Sequence, residues 1–146
     1  MVQSSAIRAI SDEEYVRHGI DLQQDLSDCD VLFGVKEVPI HDLIQSKTYF
    51  FFSHTYKQQP YNAKLLRACV ERNIRLIDYE LLKKNGTRVV AFGRFAGLVG
   101  AYNGLRGWAE KYGQFVLKPA HEGRDMQDMF DQLKGVDWPA NLRILL

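Results

Sequence analysis

Two apolar runs, each closing on an ionisable residue, constrain this chain more than anything else in it. Asp30-Val31-Leu32-Phe33-Gly34-Val35 leads to Lys36, and Thr48-Tyr49-Phe50-Phe51-Phe52-Ser53 leads to His54, eighteen positions later. Short continuous apolar runs mark strands buried on both faces, as in parallel sheets. Ligands of such sheets bind in the crevice outside the carboxyl ends of the strands. Lys36 and His54 both fall at that edge. Neighbouring strands lie only ~5 Å apart, so the two side chains are expected to converge on one small substrate.

The rest of the chain alternates between strand and helix signals. A short strand is expected within residues 2–10. Ser11-Asp12-Glu13-Glu14 reads as a capping box, with Ser11 as N-cap and Glu14 three residues on, and the helix it starts should end at Gly19. Residues 40–44 suit one helical turn after Pro39. A polar loop, residues 55–61, carries Pro60; Asn62 then caps a helix with Leu65, Leu66, Cys69 and Val70 on one face and Asn73 near its end. Residues 74–82 and 87–92 read as strands joined at Asn85-Gly86, a hairpin signal. Residues 93–112 look helical and rich in small residues. Met126, Met129, Phe130 and Leu133 follow a 3–4 spacing that marks an amphipathic helix, broken by Asp137-Trp138-Pro139. A final strand is expected over residues 142–146. Alternation of this kind predicts an α/β fold, Rossmann-like, with a mainly parallel sheet flanked by helices.

Composition narrows the function. The chain of 146 residues is the size of one domain, with a formal net charge of +1 and no basic block, so the positive stripe needed for a nucleic-acid partner is missing. No apolar stretch reaches the ~18 residues of a membrane span, and the first residues lack a signal-peptide pattern. Cys29 and Cys69 form no CxxC, which fits a cytoplasmic protein with reduced thiols, Cys69 being plain core. His18, His41 and His121 have no partners at metal-ligand spacing. Neither a GxSxG serine nor a cysteine–histidine arrangement supports a covalent hydrolase.

At the sheet edge, Lys36 suits either a substrate carboxylate or, with its pKa brought down from ~10.4 by burial or a nearby cation, proton acceptance. His54 carries an imidazole, a group that serves as acid or base near neutral pH with little tuning. Lys57, one loop away, suits a dicarboxylate or amino-acid ligand, and equally a solvated surface. Gly93, Gly97 and Gly100 follow an apolar run, but they make GxxxGxxG where a dinucleotide loop has GxGxxG. A glycine- and alanine-faced helix packed tightly on another backbone is the expectation there, although the helix N-terminus favours an anion. The chain contains no complete dinucleotide fingerprint.

Several stretches in order carry a likeness: Gly34-Val35-Lys36-Glu37, Phe51-Phe52-Ser53-His54-Thr55-Tyr56-Lys57, Leu76-Ile77-Asp78-Tyr79-Glu80, and Arg88-Val89-Val90-Ala91-Phe92-Gly93 running into Ala96-Gly97. Over most of residues 1–120 the chain resembles the N-terminal, substrate-binding domain of the alanine dehydrogenase and pyridine nucleotide transhydrogenase superfamily. Within it the closer likeness is to the saccharopine dehydrogenase branch, the lysine-forming type. The resemblance implies a two-domain NAD-dependent enzyme with its active site in the cleft between domains. It implies Lys36 and His54 as the acid–base pair, and Lys57 and Arg88 as substrate-binding residues. It also implies reversible oxidation of a secondary amine to lysine plus 2-oxoglutarate, through an imine that water attacks.

Two departures accompany the likeness. The family's first strand, with its basic residues, is absent upstream, and the glycine loop of the NAD-binding domain is absent downstream. Residues 1–138 are therefore expected to be a partial substrate-binding and catalytic domain, and residues 139–146 the truncated first strand of a dinucleotide-binding domain. The chain is expected to be inactive alone, and a sheet edge bared by the lost strand invites a homodimer. Two other readings stand beside this one: an alanine dehydrogenase-type fragment, and a non-catalytic module binding an amino acid or oxoacid.

Overall fold

A computed structural model describes residues 1–144. In chain order the elements are β1 (Val2–Gln3), α1 (Asp12–Arg17), β2 (Leu22–Gln23), β3 (Val31–Phe33), β4 (Thr48–Phe51), α2 (Ala63–Glu71), β5 (Arg75–Asp78), β6 (Lys83–Lys84), β7 (Thr87–Arg88), α3 (Gly93–Tyr112) and α4 (Met126–Lys134). The chain divides into two compact units, Met1–Ala91 and the residues from Phe92 onward.

The first unit is built on a three-stranded parallel sheet in the order β3-β4-β5. Val31 pairs with Thr48, Leu32 with Tyr49 and Phe33 with Phe50, so β3 and β4 run with a constant offset of seventeen positions. The alternation of strand side chains then sends Tyr49 and Phe51 to one face. There they pack with Leu43 and with Leu65, Ala68 and Cys69 of α2, joined by Leu32, Val38, Ile74 and Leu76. On the opposite face Phe33 and Phe50 stack at 4.7 Å, and Tyr79 meets Phe52 edge-on at 5.2 Å. Burial on both faces, expected for both runs, does not hold for β3. It is an edge strand of this sheet, and Phe33 is 73% exposed.

Local signals explain most boundaries. Ser11 accepts a hydrogen bond from the Glu14 amide at the start of α1, and Gly19 takes positive φ after it. Asn73, beyond α2, and Gly113, beyond α3, are left-handed in the same way. Asn85 and Gly86, both with positive φ, turn β6 into β7, the geometry that two-residue hairpins require. The expected strand over residues 74–82 is shorter, because Asp78 accepts from the Glu80 amide and winds Tyr79–Leu81 into a 3-10 turn. Leu66 and Val70, expected on the buried face of α2, are exposed; the burial passes through Leu65, Ala68 and Cys69 instead.

In the second unit Tyr102 of α3, Leu117 and Met129 of α4 form a small core with Phe115, Ala120, Leu133 and Val136. The Tyr102 hydroxyl donates to the Lys118 carbonyl at 2.8 Å, so the buried phenol is satisfied. Asp125 caps α4 by accepting from the Asp128 amide at 2.9 Å. The close backbone packing expected of the α3 glycines is not made among the described residues: a Cβ on Gly97, Gly100, Gly104 or Gly107 would meet none of their atoms within 4 Å. The expected strand over residues 142–146 reaches outside the described residues, and residues 142–144 carry no strand. Among the described residues no helix is long and apolar enough to cross a membrane.

Candidate functional site

The carboxyl edge of the sheet is built by the ends of β3 and β4. Past the last ladder pair, the Gly34 amide donates to the Phe50 carbonyl and the Phe52 amide to the Val35 carbonyl, at 2.8 and 3.1 Å. The two chains therefore stay side by side up to their ionisable residues. Carried forward, the seventeen-residue offset aligns Glu37 with His54. The geometry bears this out: His54 Nδ1 lies 2.6 Å from Glu37 Oε1, both side chains being about 30% exposed.

A carboxylate can only accept, so with Glu37 ionised the proton of this bond sits on Nδ1. That fixes the imidazole so that Nε2 is the nitrogen able to take or give a proton. Burial alone would raise the Glu37 pKa. The hydrogen bond from His54, the residue's own backbone amide, the His54 charge and Asn62 outweigh it and hold the carboxyl below the ordinary glutamate range.

A carboxyl that titrates lower when folded adds stability fully above the unfolded glutamate value of ~4.3. That stability is lost as pH falls through the folded value. Acid unfolding of the parent chain should consequently be steeper than that of Glu37→Gln over this window. Parallel acid limbs would contradict the assignment.

The four residues expected at the site are placed as follows. Lys36 is exposed in the loop after β3, and its side chain makes no hydrogen bond or ion pair among the described residues. His54 follows β4 with φ of +51°, a left-handed conformation unusual for a residue with a side chain. Lys57 is exposed on the following turn and is likewise unpaired among the described residues. Arg88 lies in β7, paired with Glu80 at 3.4 Å. His54 is thus brought against Glu37, the neighbour of Lys36.

Glu37 carried no role in the sequence reading. Its signal was the register: counting back from His54 by the ladder offset lands on it, one residue past the lysine. Asn62 also departs from expectation. It stands at the N-cap of α2 but its side chain does not cap. Instead Nδ2 donates to the Ser53 carbonyl at 2.9 Å and reaches Glu37 Oε1 at 3.4 Å.

A cavity of about 110 Å³ adjoins this edge, lined by Thr55, Gln58, Gln59, Asn62, Ala63 and Leu66. The buried Gln59 Oε1 has no hydrogen-bond partner among the described residues. A larger open groove of about 470 Å³, on α4 beside Trp138, contains none of the four expected site residues. Among the described residues no cluster of histidine, cysteine and carboxylate side chains suits a metal ion. The glycines of α3 do not form a dinucleotide cradle. All lie within the helix, which starts at Gly93 without a preceding strand, since β7 ends at Arg88. The α3 glycines therefore do not fit the pyrophosphate of a nicotinamide dinucleotide.

A parallel sheet flanked by helices, with ionisable side chains at its carboxyl edge, defines a Rossmann-like α/β domain. The chain belongs to the family described as alanine dehydrogenase/PNT, N-terminal domain, whose profile matches residues 1–99. It is 47% identical over 108 residues to the mitochondrial alpha-aminoadipic semialdehyde synthase of Mus musculus, covering 73% of this chain and 12% of that protein. The corresponding bovine protein is 48% identical over the same length and coverage. Against the saccharopine dehydrogenase [NAD(+), L-lysine-forming] of Yarrowia lipolytica the identity is 34% over 114 residues, 74% of this chain and 31% of the relative. The chain thus spans less than a third of the length of these relatives.

Proposed function

We propose that this chain is the substrate-binding part of an NAD-dependent amino-acid dehydrogenase of saccharopine dehydrogenase type, acting on a secondary amine that links lysine to 2-oxoglutarate. The observation that carries the reading is the His54–Glu37 hydrogen bond at the carboxyl edge of a parallel sheet. It joins the two segments in which acid–base residues were expected.

In this reading Glu37 holds the imidazole by Nδ1, and Nε2 moves protons to and from the substrate nitrogen or the attacking water. Lys36, an ammonium on the neighbouring loop that is unpaired among the described residues, supplies the second proton-handling group or a carboxylate contact. Lys57 and Arg88 are the carboxylate-binding residues; Arg88 would have to leave or share Glu80 to take that part. The relatives' printed names support the substrate class and the NAD dependence. The nucleotide itself would be held outside the described residues, because the α3 glycines offer it no cradle. The 110 Å³ cavity beside His54 is well below the ~300 Å³ at which pockets for drug-sized ligands begin, which fits one wall of a larger cleft.

Two assays test this. The purified chain of 146 residues should not reduce NAD when given saccharopine or alanine, whereas the protein expressed from its full reading frame should do so with saccharopine. Turnover with alanine alone would move the assignment to the alanine dehydrogenase type, and no turnover with either would leave a binding module.

A further inference from the structure

His54 is held in a backbone conformation that its own side chain disfavours. Left-handed φ crowds Cβ against the following carbonyl, and such residues persist only where the surroundings over-determine them. Here they do. Ser53 and Thr55 flank His54, and both are buried along with Asp78. Their hydroxyls meet at 2.7 Å across the histidine, and the Thr55 amide donates to Ser53 Oγ at 3.2 Å. The Ser53 hydroxyl in turn donates to Asp78 Oδ2 at 2.5 Å. A serine has one proton to give, so with it committed to the Asp78 carboxylate, Thr55 is the donor to Ser53. The order is fixed end to end: Thr55 to Ser53 to Asp78.

From the other side Asn62 fastens the Ser53 carbonyl and touches Glu37, leaving α2 without a side-chain cap. A capping residue turned away from its helix and towards this turn is unexpected unless the turn itself matters.

We infer that Ser53, Thr55, Asp78 and Asn62 are positioning residues, a clamp that sets the left-handed turn at His54 and so delivers its imidazole to Glu37. The inference rests on reading His54 as the proton-handling group. It concerns where the ring is held, which can be measured without turnover. The titratable group facing Glu37 among the described residues is His54, with Asn62 as a neutral donor.

The test follows the Glu37 side-chain carboxyl by carbon NMR across acid pH in the chain of 146 residues. His54→Gln serves as reference and should move the Glu37 midpoint upward. Asp78→Asn and Thr55→Val should move it upward towards that reference while the far-ultraviolet dichroism stays that of a folded chain. Thr55→Ser, which restores the hydroxyl, should return it. Leu65→Ala, which weakens the core that α2 shares with Phe51 but removes no hydrogen bond of the clamp, should leave the midpoint where it is. Thr55→Val is the fallback where Asp78→Asn does not fold, since it removes only the outer member of the chain.

Parent-like midpoints in Asp78→Asn and Thr55→Val would overturn the clamp, as would an equal shift in Leu65→Ala. If the reference His54→Gln leaves Glu37 unmoved, the pairing with His54 fails and the clamp with it. Failure of the catalytic reading would show separately, as unchanged turnover in His54→Gln with these midpoints shifted as expected.

Discussion

Replacing His54 by glutamine, in the protein expressed from its full reading frame, is expected to lower kcat by roughly 10²–10⁴-fold, the range that positioned acid–base groups contribute. Nδ1 is engaged by Glu37 at 2.6 Å, which leaves Nε2 as the nitrogen that would exchange protons with substrate in the proposed reading. Glutamine keeps a polar side chain of similar reach but cannot take up and release a proton. Glu37→Gln should cost less, since the imidazole remains and only its charged anchor is lost. Lys36→Met should also slow turnover if the ammonium takes part in proton handling. A kcat within twofold of the parent for both His54→Gln and Lys36→Met would remove the catalytic assignment.

The largest effect on stability is expected at Phe51. Its ring is 0% exposed, packed among Leu43, Leu65, Ala68 and Cys69 and edge-on to Tyr49 at 6.1 Å. Phe51→Ala removes most of a side chain from a site walled by both sheet and helix, and such truncations cost about 3–5 kcal/mol. Because the chain has two compact units, a single melting temperature is a poor readout. Amide hydrogen exchange resolves them. Protection in β4 and β5 should fall by on the order of 10²–10³-fold or more, while α4 keeps its own. A loss under fivefold in β4 would mean that the sheet does not depend on this packing.

The legible parts of the fold were those written in local chemistry. The Ser11 cap, the Asn85-Gly86 turn and the α3 span from Gly93 to Tyr112 each depend on neighbours a few residues apart, and each is where the sequence places it. Strands were legible by place but not by extent: the runs expected to reach Lys36, His54, Leu82 and Phe92 hold strands that end at Phe33, Phe51, Asp78 and Arg88. What escaped was pairing. Lys36 and His54 both close apolar runs, and eighteen positions separate them. The ladder offset is seventeen, and a one-residue difference in register exchanges the two faces of a strand. No property of either run alone reports that offset. It is set by how Leu32, Tyr49 and Phe51 pack on α2. Asn62 escaped for a related reason: a residue at a helix start reads as a cap until a distant carbonyl, that of Ser53, competes for its amide. The exposed face of β3 was likewise illegible, because the same apolar run serves a central strand or an edge strand.

Titration of the isotopically labelled chain of 146 residues with 2-oxoglutarate, followed by backbone and side-chain NMR shifts, tests the central claim most directly, since it detects even millimolar binding. The predicted result is a set of perturbations gathered at Lys36, Glu37, His54 and Lys57, weaker with pyruvate and diminished in Lys57→Met. Shifts gathered instead around Phe130 and Trp138, or none at all up to millimolar ligand, would contradict a substrate site at the carboxyl edge of this sheet.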